Sequence, residues 1–359
     1  MESFENFFNA LASPELVIGI ATVIFFVYLA RMRQMMTPSI SFGIMGLVAV
    51  FLVIGSQNHD FLKIITKGDN MPIVIMIYAV LFFLWLAMRQ ATQNDMRLEK
   101  GLPPNEAEDS GKKILVWPDL VYSEFVVTVL LSAVFILWAV AVEAPLEEPA
   151  SGARAPNPAK APWYFLGLQE MLVYFDPWLA GVVLPGMIVV GLMAIPYIDV
   201  NPKGNGYYTF KERPFAISIF LFGFLILWVL LVIMGTFLRG PNWNFFGPFE
   251  FWDPHKVEAL SNVNLSDYFW VSWLNTRLPD ESLIREAPGI LLIIGYFTIA
   301  PALLAVTLLK KLFNEMGFAR YSVLVMLLLF MASLPIKMLL RWFFNLKYLV
   351  AIPEWFFNI

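Results

Sequence analysis

The sequence contains no cysteine and only two histidines, His59 and His255, among its 359 residues. Without cysteine the chain cannot form disulfides, hold an iron–sulfur cluster through thiolates or attach a c-type haem through thioether bonds. Two histidines in polar or aromatic loop segments cannot supply the two pairs of ligands that a di-haem b cytochrome needs within the membrane. The sequence therefore predicts no metal site of its own, and a bis-histidine haem would have to belong to a partner.

Charged residues are also scarce. They make up 14% of the sequence, whereas apolar residues make up 59% and the mean hydropathy is +0.69. About a quarter of the residues are charged in ordinary soluble domains, so a water-soluble globular domain is excluded. The net charge of −4 provides no basic stripe for nucleic acid. We therefore expect the chain to lie in a lipid bilayer and not to bind nucleic acid.

The apolar residues form eight runs that are long enough, or nearly so, to cross a bilayer. Open backbone hydrogen bonds are too costly in lipid and the runs lack the alternation of barrel strands, so helices are expected. The predicted fold class is all-α, a polytopic integral membrane protein with about eight transmembrane helices. The N-terminus has no basic region ahead of an apolar stretch, so no cleaved signal peptide is expected. The runs are 16–30, 40–54, 71–87, 121–142, 179–196, 215–238, 289–309 and 321–340.

Basic residues near the helix ends set the expected orientation. Arg31 and Arg33 follow the first run, and Lys310 and Lys311 follow the seventh, which favours the cytoplasm for these loops. Both termini and the two long loops after runs four and six then lie on the positive, outer side. The predicted location is a bacterial inner (cytoplasmic) membrane.

The loop after the fourth run carries the clearest local signal. Its closely spaced prolines end at Pro162, and an amphipathic helix is expected from Trp163 towards Tyr174. On that helix Trp163, Leu166 and Glu170 share one face. Glu170 is then either a solvated charge at the rim of the membrane or a proton acceptor at a ligand pocket, and the sequence leaves both interpretations open.

Four segments in this half of the chain resemble the C-terminal half of cytochrome b and its separate counterpart, subunit IV of cytochrome bf complexes. The run 162–165 is similar to the Pro-Glu-Trp-Tyr motif of that family, and the resemblance extends over about residues 119–310. The segments are Glu147-Glu148-Pro149-Ala150, Pro162-Trp163-Tyr164-Phe165, Ile195-Pro196-Tyr197-Ile198-Asp199 and the tyrosine-containing loop 205–214.

Shifts in composition, together with the resemblance over 119–310, divide the chain. Residues 1–90 are expected to form three N-terminal transmembrane helices, and 91–118 a polar cytoplasmic linker. Residues 119–310 are expected to form the cytochrome b C-terminal-like (subunit IV-like) domain, with an aromatic loop at 240–286 on the positive side. Residues 311–359 are expected to add a further transmembrane helix and an interfacial tail.

The resemblance implies a role in electron transport. The chain would be a haem-free membrane subunit of a quinol:cytochrome c (bc-type) oxidoreductase, and a subunit rather than an enzyme alone. Quinol would be the substrate, and the b haems would sit in a di-haem cytochrome b-type partner. A Rieske iron–sulfur protein and a c-type cytochrome are the further implied partners. Electron transfer would be coupled to proton release on the outer side.

The residues implied to bind quinol are Pro162, Trp163, Tyr164, Phe165, Glu147 and Glu148. One departure matters, because the glutamate of the family motif falls at Pro162. Quinol oxidation releases two protons and requires a base within hydrogen-bonding range. Glu170 is the leading substitute, with Tyr164 as a hydrogen-bonding partner in proton transfer. The alternative is a non-catalytic structural scaffold subunit of a membrane redox complex, which the missing glutamate favours.

A second acidic residue, Glu124, lies in the first turn of the fourth run. The helix dipole favours an anion there, and a proton path from the cytoplasmic side is the other interpretation. A transporter would be expected to carry paired charges or broken helices near the middle of the membrane. The runs are almost free of charge, so the transporter class is set aside.

Overall fold

The computed structural model describes residues 2–143, 146, 149–201, 207–259 and 261–359. Most of these residues are helical, and the described strands are two short ones that pair with each other. Seven described helices are long and apolar enough to cross a membrane, and a bent pair near the N-terminus would make an eighth. The prediction of an all-α polytopic membrane protein with about eight transmembrane helices is confirmed.

The described residues divide into two compact units, and the first contains residues up to 159 together with 203–222 and 236–255. Its helices begin with α1 (Glu2–Leu11) and α2 (Pro14–Ala30), which are bent by 84° at their junction. They continue with α3 (Pro38–Gly55), α4 (Met71–Glu99) and α5 (Val116–Ala141). Short helical turns at Met32–Met35, His59–Ile65 and Asn105–Asp109 lie between them.

The second unit contains residues 160–202, 223–235 and 256–359. It includes α6 (Trp163–Met171), α7 (Leu179–Ile198) and the middle of α8 (Pro214–Leu238). It then includes α9 (Ser282–Val306) and α10 (Lys310–Phe344), with a single helical turn at Asp267–Trp273 before them. Strands β1 (Ala351–Ile352) and β2 (Phe357–Asn358) pair antiparallel, with Ala351 opposite Asn358 and Ile352 opposite Phe357.

Proline and polar caps explain where several helices begin. Proline occupies the first turn of α2, α3, α4 and α8, where its missing N–H removes no helical hydrogen bond. At α2 the Ser13 side chain also accepts the Leu16 N–H at 3.4 Å, which is an ordinary N-cap. Within α10, Gly317 adopts a φ of +72° and separates a short first segment from the long apolar one. Such a φ is strained for residues with a Cβ.

Helix α4 is longer than its apolar run and continues to Glu99, into the segment 91–118 predicted as a polar linker. Two residues of this extension, Asn94 and Asp95, are 0% and 3% exposed. Asn94 donates to the Tyr208 carbonyl at 2.9 Å, and Asp95 accepts the Phe210 and Lys211 N–H groups at 3.2 to 3.3 Å. These bonds connect the polar end of α4 to the backbone of the loop that precedes α8.

Candidate functional site

Helix α6 begins where the proline-rich loop ends. Pro162 occupies the N-cap position, and its carbonyl accepts the Phe165 N–H at 2.8 Å. The Gln169 side chain accepts the Ala161 N–H at 2.9 Å, which fixes the entering chain against the helix. The predicted start at Trp163 is confirmed. The helix ends at Met171 rather than Tyr174, because the N–H groups of Val173 and Tyr174 bond to carbonyls only three residues back.

One face of α6 packs closely against α8. A Cβ built on Gly167 would lie 3.5 Å from the Val232 side chain and 3.6 Å from the Trp228 carbonyl. A Cβ built on Gly235 would lie 3.3 Å from the Leu166 carbonyl oxygen. Glycine at both positions therefore allows a close approach of the two helices. This approach decides which face of α6 is buried.

The first turn of α6 presents three aromatic side chains. Trp163, Tyr164 and Phe165 are 38%, 48% and 49% exposed. The rings of Trp163 and Tyr164 lie 5.6 Å apart edge to face, and those of Tyr164 and Phe165 lie 4.6 Å apart. An apolar surface with one phenol group is suited to an aromatic ligand that needs few polar contacts.

Glu170 lies on the packed face and is 0% exposed. It shares this face with Leu166 and Gly167, whereas Trp163, at the start of the same stripe, remains partly exposed. Full burial excludes the interpretation of Glu170 as a solvated rim charge. Buried carboxylates are uncommon in proteins and are usually held by specific partners, so Glu170 remains the carboxylate of interest in this helix.

Basic side chains lie at the carboxyl end of α6, and the sequence did not predict them. The Lys347 ammonium donates to the carbonyls of Val173 at 3.1 Å and Leu172 at 3.4 Å. A cation is favourable at this end of a helix because the dipole is negative there. Burial lowers the pKa of Lys347, and the charge of Arg341 lowers it further, whereas Asp176 raises it.

A second lysine supports this arrangement from within α10. Lys337 is 2% exposed, donates to the Lys347 carbonyl at 2.7 Å and lies 5.7 Å from the centre of the Phe175 ring. The signal in the sequence was a single lysine inside the apolar run 321–340. An ionisable residue inside a membrane segment is a candidate for function by default, and here it positions the chain that follows α6.

The paired strands hold the same segment from another direction. Asn358 donates to the Asp176 carboxylate at 2.9 Å, and its carbonyl accepts the Trp178 indole N–H at 2.8 Å. The rings of Trp178 and Phe357 stack 5.2 Å apart. The chain that follows α6 is therefore fixed by side chains far away in the sequence.

In the first unit, the loop before α6 is joined to the loop after α8. The Asn157 amide donates to the Asn242 side chain at 2.9 Å and accepts the Asn242 N–H at 2.6 Å. Asn242 also donates to the Pro254 carbonyl at 3.2 Å. The predicted site residues Glu147 and Glu148 lie outside the described residues.

The histidines lie outside the long helices. His59 begins the short helix His59–Ile65, and the His255 N–H donates to the Asp253 carboxylate at 2.9 Å in an exposed turn. Among the described residues no group of three or more His, Cys, Asp or Glu side chains could hold a metal ion.

Comparison with known proteins identifies the region around α6. Residues 149–249 match the family model described as cytochrome b(C-terminal)/b6/petD. The resemblance predicted from the motifs is confirmed over these residues. This cytochrome b C-terminal-like region includes α6, α7, α8 and the two loops joined by Asn157 and Asn242. Residues 119–148 and 250–310, which the motifs were expected to include, lie outside the match.

A curated relative is similar over part of the chain. The menaquinol:cytochrome c reductase cytochrome c subunit of Geobacillus thermodenitrificans is 28% identical over 128 residues. The similarity extends over 33% of this chain and 48% of the relative, so it spans about half of the length of that protein. No solved structure matches the chain.

Proposed function

We propose that this chain is a haem-free membrane subunit of a bc-type quinol:cytochrome c oxidoreductase and that α6 forms part of its quinol oxidation pocket. The observation that carries the proposal is the combination, in one short helix of the cytochrome b C-terminal-like region, of an exposed aromatic turn and a fully buried glutamate. The similarity to a subunit of a menaquinol:cytochrome c reductase supports the type of complex.

In this proposal the aromatic turn of α6 binds the quinol ring. Trp163 and Phe165 form apolar walls, Pro162 fixes the start of the helix, and the Tyr164 hydroxyl is the polar group that orients the ring. Glu147 and Glu148 stay proposed neighbours on the path by which protons leave. The quinol gives up two electrons, one to a high-potential acceptor and one to the b haems of a partner.

Glu170 is the proposed acceptor of a quinol proton. It replaces the motif glutamate, whose place Pro162 occupies. A positioned base contributes on the order of 100-fold to 10,000-fold to a rate that depends on proton transfer. The phenol of Tyr164 has an ordinary pKa of about 10 and is a poor base, so its role is to donate or accept a hydrogen bond.

The partners complete the proposed enzyme. They are a di-haem cytochrome b-type subunit, a Rieske iron–sulfur protein and a c-type cytochrome in a bacterial inner membrane. The two termini and the loop that leads into α6 are proposed to face the positive side, where the protons are released. The three N-terminal spans within residues 1–90 would dock against neighbouring subunits.

The first test is purification of the assembly through a tag on this chain, followed by a reduced-minus-oxidised spectrum with quinol as the reductant. We expect b-haem bands from a co-purified subunit. The second test compares Glu170→Gln with Glu281→Gln, an exposed acid at the start of α9. Glu170→Gln should lower quinol-dependent reduction of cytochrome c about 100-fold, whereas Glu281→Gln should leave it unchanged.

The scaffold alternative makes a different prediction. The absence of the motif glutamate at Pro162 favours it, because a structural subunit needs no base. If Glu170→Gln and Tyr164→Phe both retain the wild-type rate in an assembly with full haem content, the catalytic proposal fails and the scaffold role remains. A preparation without any b haem would contradict both roles.

A further inference from the structure

Glu170 lies at the end of α6 that disfavours a negative charge. It is the second to last residue of the helix Trp163–Met171, and the carboxyl end of a helix carries about half a negative elementary charge. Burial adds a second cost, because Glu170 is 0% exposed and a carboxylate loses its hydration inside a protein. A cation close to this end of α6 therefore favours the ionised form of Glu170, which is the form that can accept a proton.

Lys347 places a cation at this end of the helix. Its ammonium donates to the carbonyls of Val173 at 3.1 Å and Leu172 at 3.4 Å, which are the first two residues beyond α6. Carbonyls at the end of a helix lack helical partners and carry the negative charge of the dipole. The Lys347 ammonium therefore offsets the partial charge that acts against an ionised Glu170.

The backbone of Lys347 is fixed from two sides. Its N–H donates to the Val263 carbonyl at 2.8 Å, and its carbonyl accepts the Lys337 ammonium at 2.7 Å. The next residue, Tyr348, accepts the Leu265 N–H at 3.0 Å through its carbonyl. A charge that the fold already holds in place stabilises an anion without further reorganisation. Lys337 thus acts on the end of α6 through Lys347.

The other charged and titratable groups around α6 give a positive balance. The part of α8 that packs on α6, residues 223–235, contains no titratable residue. At the end of α6, Lys337 and Arg341 add two cations to that of Lys347, and Asp176 is the acid that interacts with Lys347. Lys160 and Tyr164 lie at the start of α6, and Tyr174 and Tyr348 are the further titratable groups at its end.

We propose that Lys347 is a positioning residue whose cation keeps the buried Glu170 carboxylate ionised, and that Lys337 holds Lys347 in place. The inference rests on the proposed function for its purpose, because an ionised Glu170 is needed to accept a quinol proton. The electrostatic coupling between the two side chains can be measured without quinol, so the coupling and the quinol chemistry can fail separately.

The direct test is a pH titration of the full chain in detergent, followed by infrared spectroscopy. The carboxylic acid band that Glu170→Gln removes reports the protonated form of Glu170. Lys347→Gln keeps an amide donor for the two carbonyls but removes the charge. Because loss of the cation favours the protonated acid, we expect the midpoint of this band to rise by about 0.5 to 1 pH unit. Lys347→Arg keeps the charge and should keep the wild-type midpoint. An unchanged midpoint in Lys347→Gln, or an equal rise in both variants, would overturn the proposal.

Two further variants control for general effects of charge. Lys310→Gln removes an exposed lysine at the start of α10 and should leave the midpoint unchanged, so a shift as large as that of Lys347→Gln would contradict the specific role of Lys347. Asp176→Asn removes the acid beside Lys347 and should lower the midpoint. This variant keeps the proposal testable if Lys347→Gln does not fold, because an unchanged or raised midpoint in Asp176→Asn would also overturn it.

Activity of the intact assembly separates this inference from the proposed function. In Lys347→Gln, quinol-dependent reduction of cytochrome c should fall most at acidic pH and approach the wild-type rate at higher pH, where Glu170 is ionised again. A loss by the same factor at every pH would indicate a structural role alone and would overturn the inference. A shifted band together with a wild-type rate in Glu170→Gln would overturn only the proposed chemistry. A reduced rate in Glu170→Gln with an unshifted band in Lys347→Gln would overturn only this inference.

Discussion

Helices α5 and α9 are nearly equal in length, 26 and 25 residues, and both qualify as membrane spans by composition, yet they are held in different ways. In α9, Glu286 is 1% exposed and accepts the Ala351 N–H at 3.0 Å, and the Tyr296 hydroxyl donates to the Leu329 carbonyl at 2.8 Å. In α5, the residues from Tyr122 to Ala141 are exposed, and Glu124 forms no ion pair with any described residue. Hydropathy identifies both spans, but only side-chain contacts show that α9 is held by other residues of its own unit.

The largest effect is expected at the closest contact of α9. A Cβ built on Gly289 would lie 1.9 Å from the Leu349 carbonyl oxygen. Because this atom belongs to the backbone, Gly289→Ala must displace the chain after α10, and we expect a loss of about 3 kcal/mol of unfolding free energy. Tryptophan fluorescence during thermal unfolding in detergent provides the measurement, since the chain has 12 tryptophans.

Two controls sharpen this prediction. Gly295 lies in the same helix, and a Cβ there would meet only the Ile299 side chain at 3.7 Å, so Gly295→Ala should be neutral or stabilising by up to about 1 kcal/mol. Ala139→Leu in α5 should change the stability of the separated chain by less than about 0.5 kcal/mol. If Gly289→Ala proved as harmless as these two, the close docking of α9 would be wrong.

A smaller effect is expected when the two spans are compared through their acidic residues. Glu286 accepts hydrogen bonds from the Ala351 N–H and, at 3.1 Å, from the Arg285 side chain. In Glu286→Gln the new amide N–H₂ group faces the Ala351 and Arg285 donors and cannot accept from both. We expect the substitution to lower the unfolding free energy of the separated chain by about 2 kcal/mol. Glu124→Gln should change the unfolding free energy of the separated chain by less than about 0.5 kcal/mol, since the Glu124 carboxylate forms no ion pair with a described residue. Equal losses in the two variants would remove the distinction between the spans.

The smallest effect concerns pH. Hydrogen bonds from Arg285, at 3.0 and 3.2 Å, hold the pKa of Glu354 below its usual value of 4.5. A lowered pKa in the folded chain means that this contact stabilises fully above 4.5 and is lost as the pH falls through the folded value. We therefore expect Glu354→Gln to have the larger effect on the melting temperature at neutral pH, with the difference from wild type shrinking below pH 4.5. A difference that stays constant over that range would contradict this role.

Sequence patterns predicted the membrane spans and the start of α6 because both depend on local properties. Apolar runs of sufficient length must be helical in lipid, and proline at 162 prevents an earlier helix. The extension of α4 through Asn94 and Asp95 was not predictable in this way. Asn94 bonds to Asn105 and Glu106 nearby, but its bond to Tyr208 and the bonds of Asp95 to Phe210 and Lys211 join residues more than 100 positions apart. Hydrogen bonds to residues far along the chain satisfy these polar groups and so allow them to be buried.

At the candidate site, too, local features were predictable from the sequence and nonlocal contacts were not. Periodicity placed Trp163, Leu166 and Glu170 on one side of α6, but it could not tell whether this side faces solvent or protein. Gly167 and Gly235 allow α8 to approach α6 closely, and this approach buries the side of α6 that carries Leu166 and Glu170. The role of Lys337 was also beyond local patterns, because its acceptor is the Lys347 carbonyl in a later segment.

The bonds between the end of α4 and the loop before α8 have a consequence for the design of chimaeras. The cytochrome b C-terminal-like region cannot be exchanged on its own. The N–H groups of Phe210 and Lys211 belong to this region, but the carboxylate that accepts them, Asp95, lies before it in the sequence. A graft that begins at residue 149 would carry these amides without their acceptor. An exchange between homologous proteins would therefore have to include the last turns of α4 together with the loop, so that donor and acceptor are transferred as one piece.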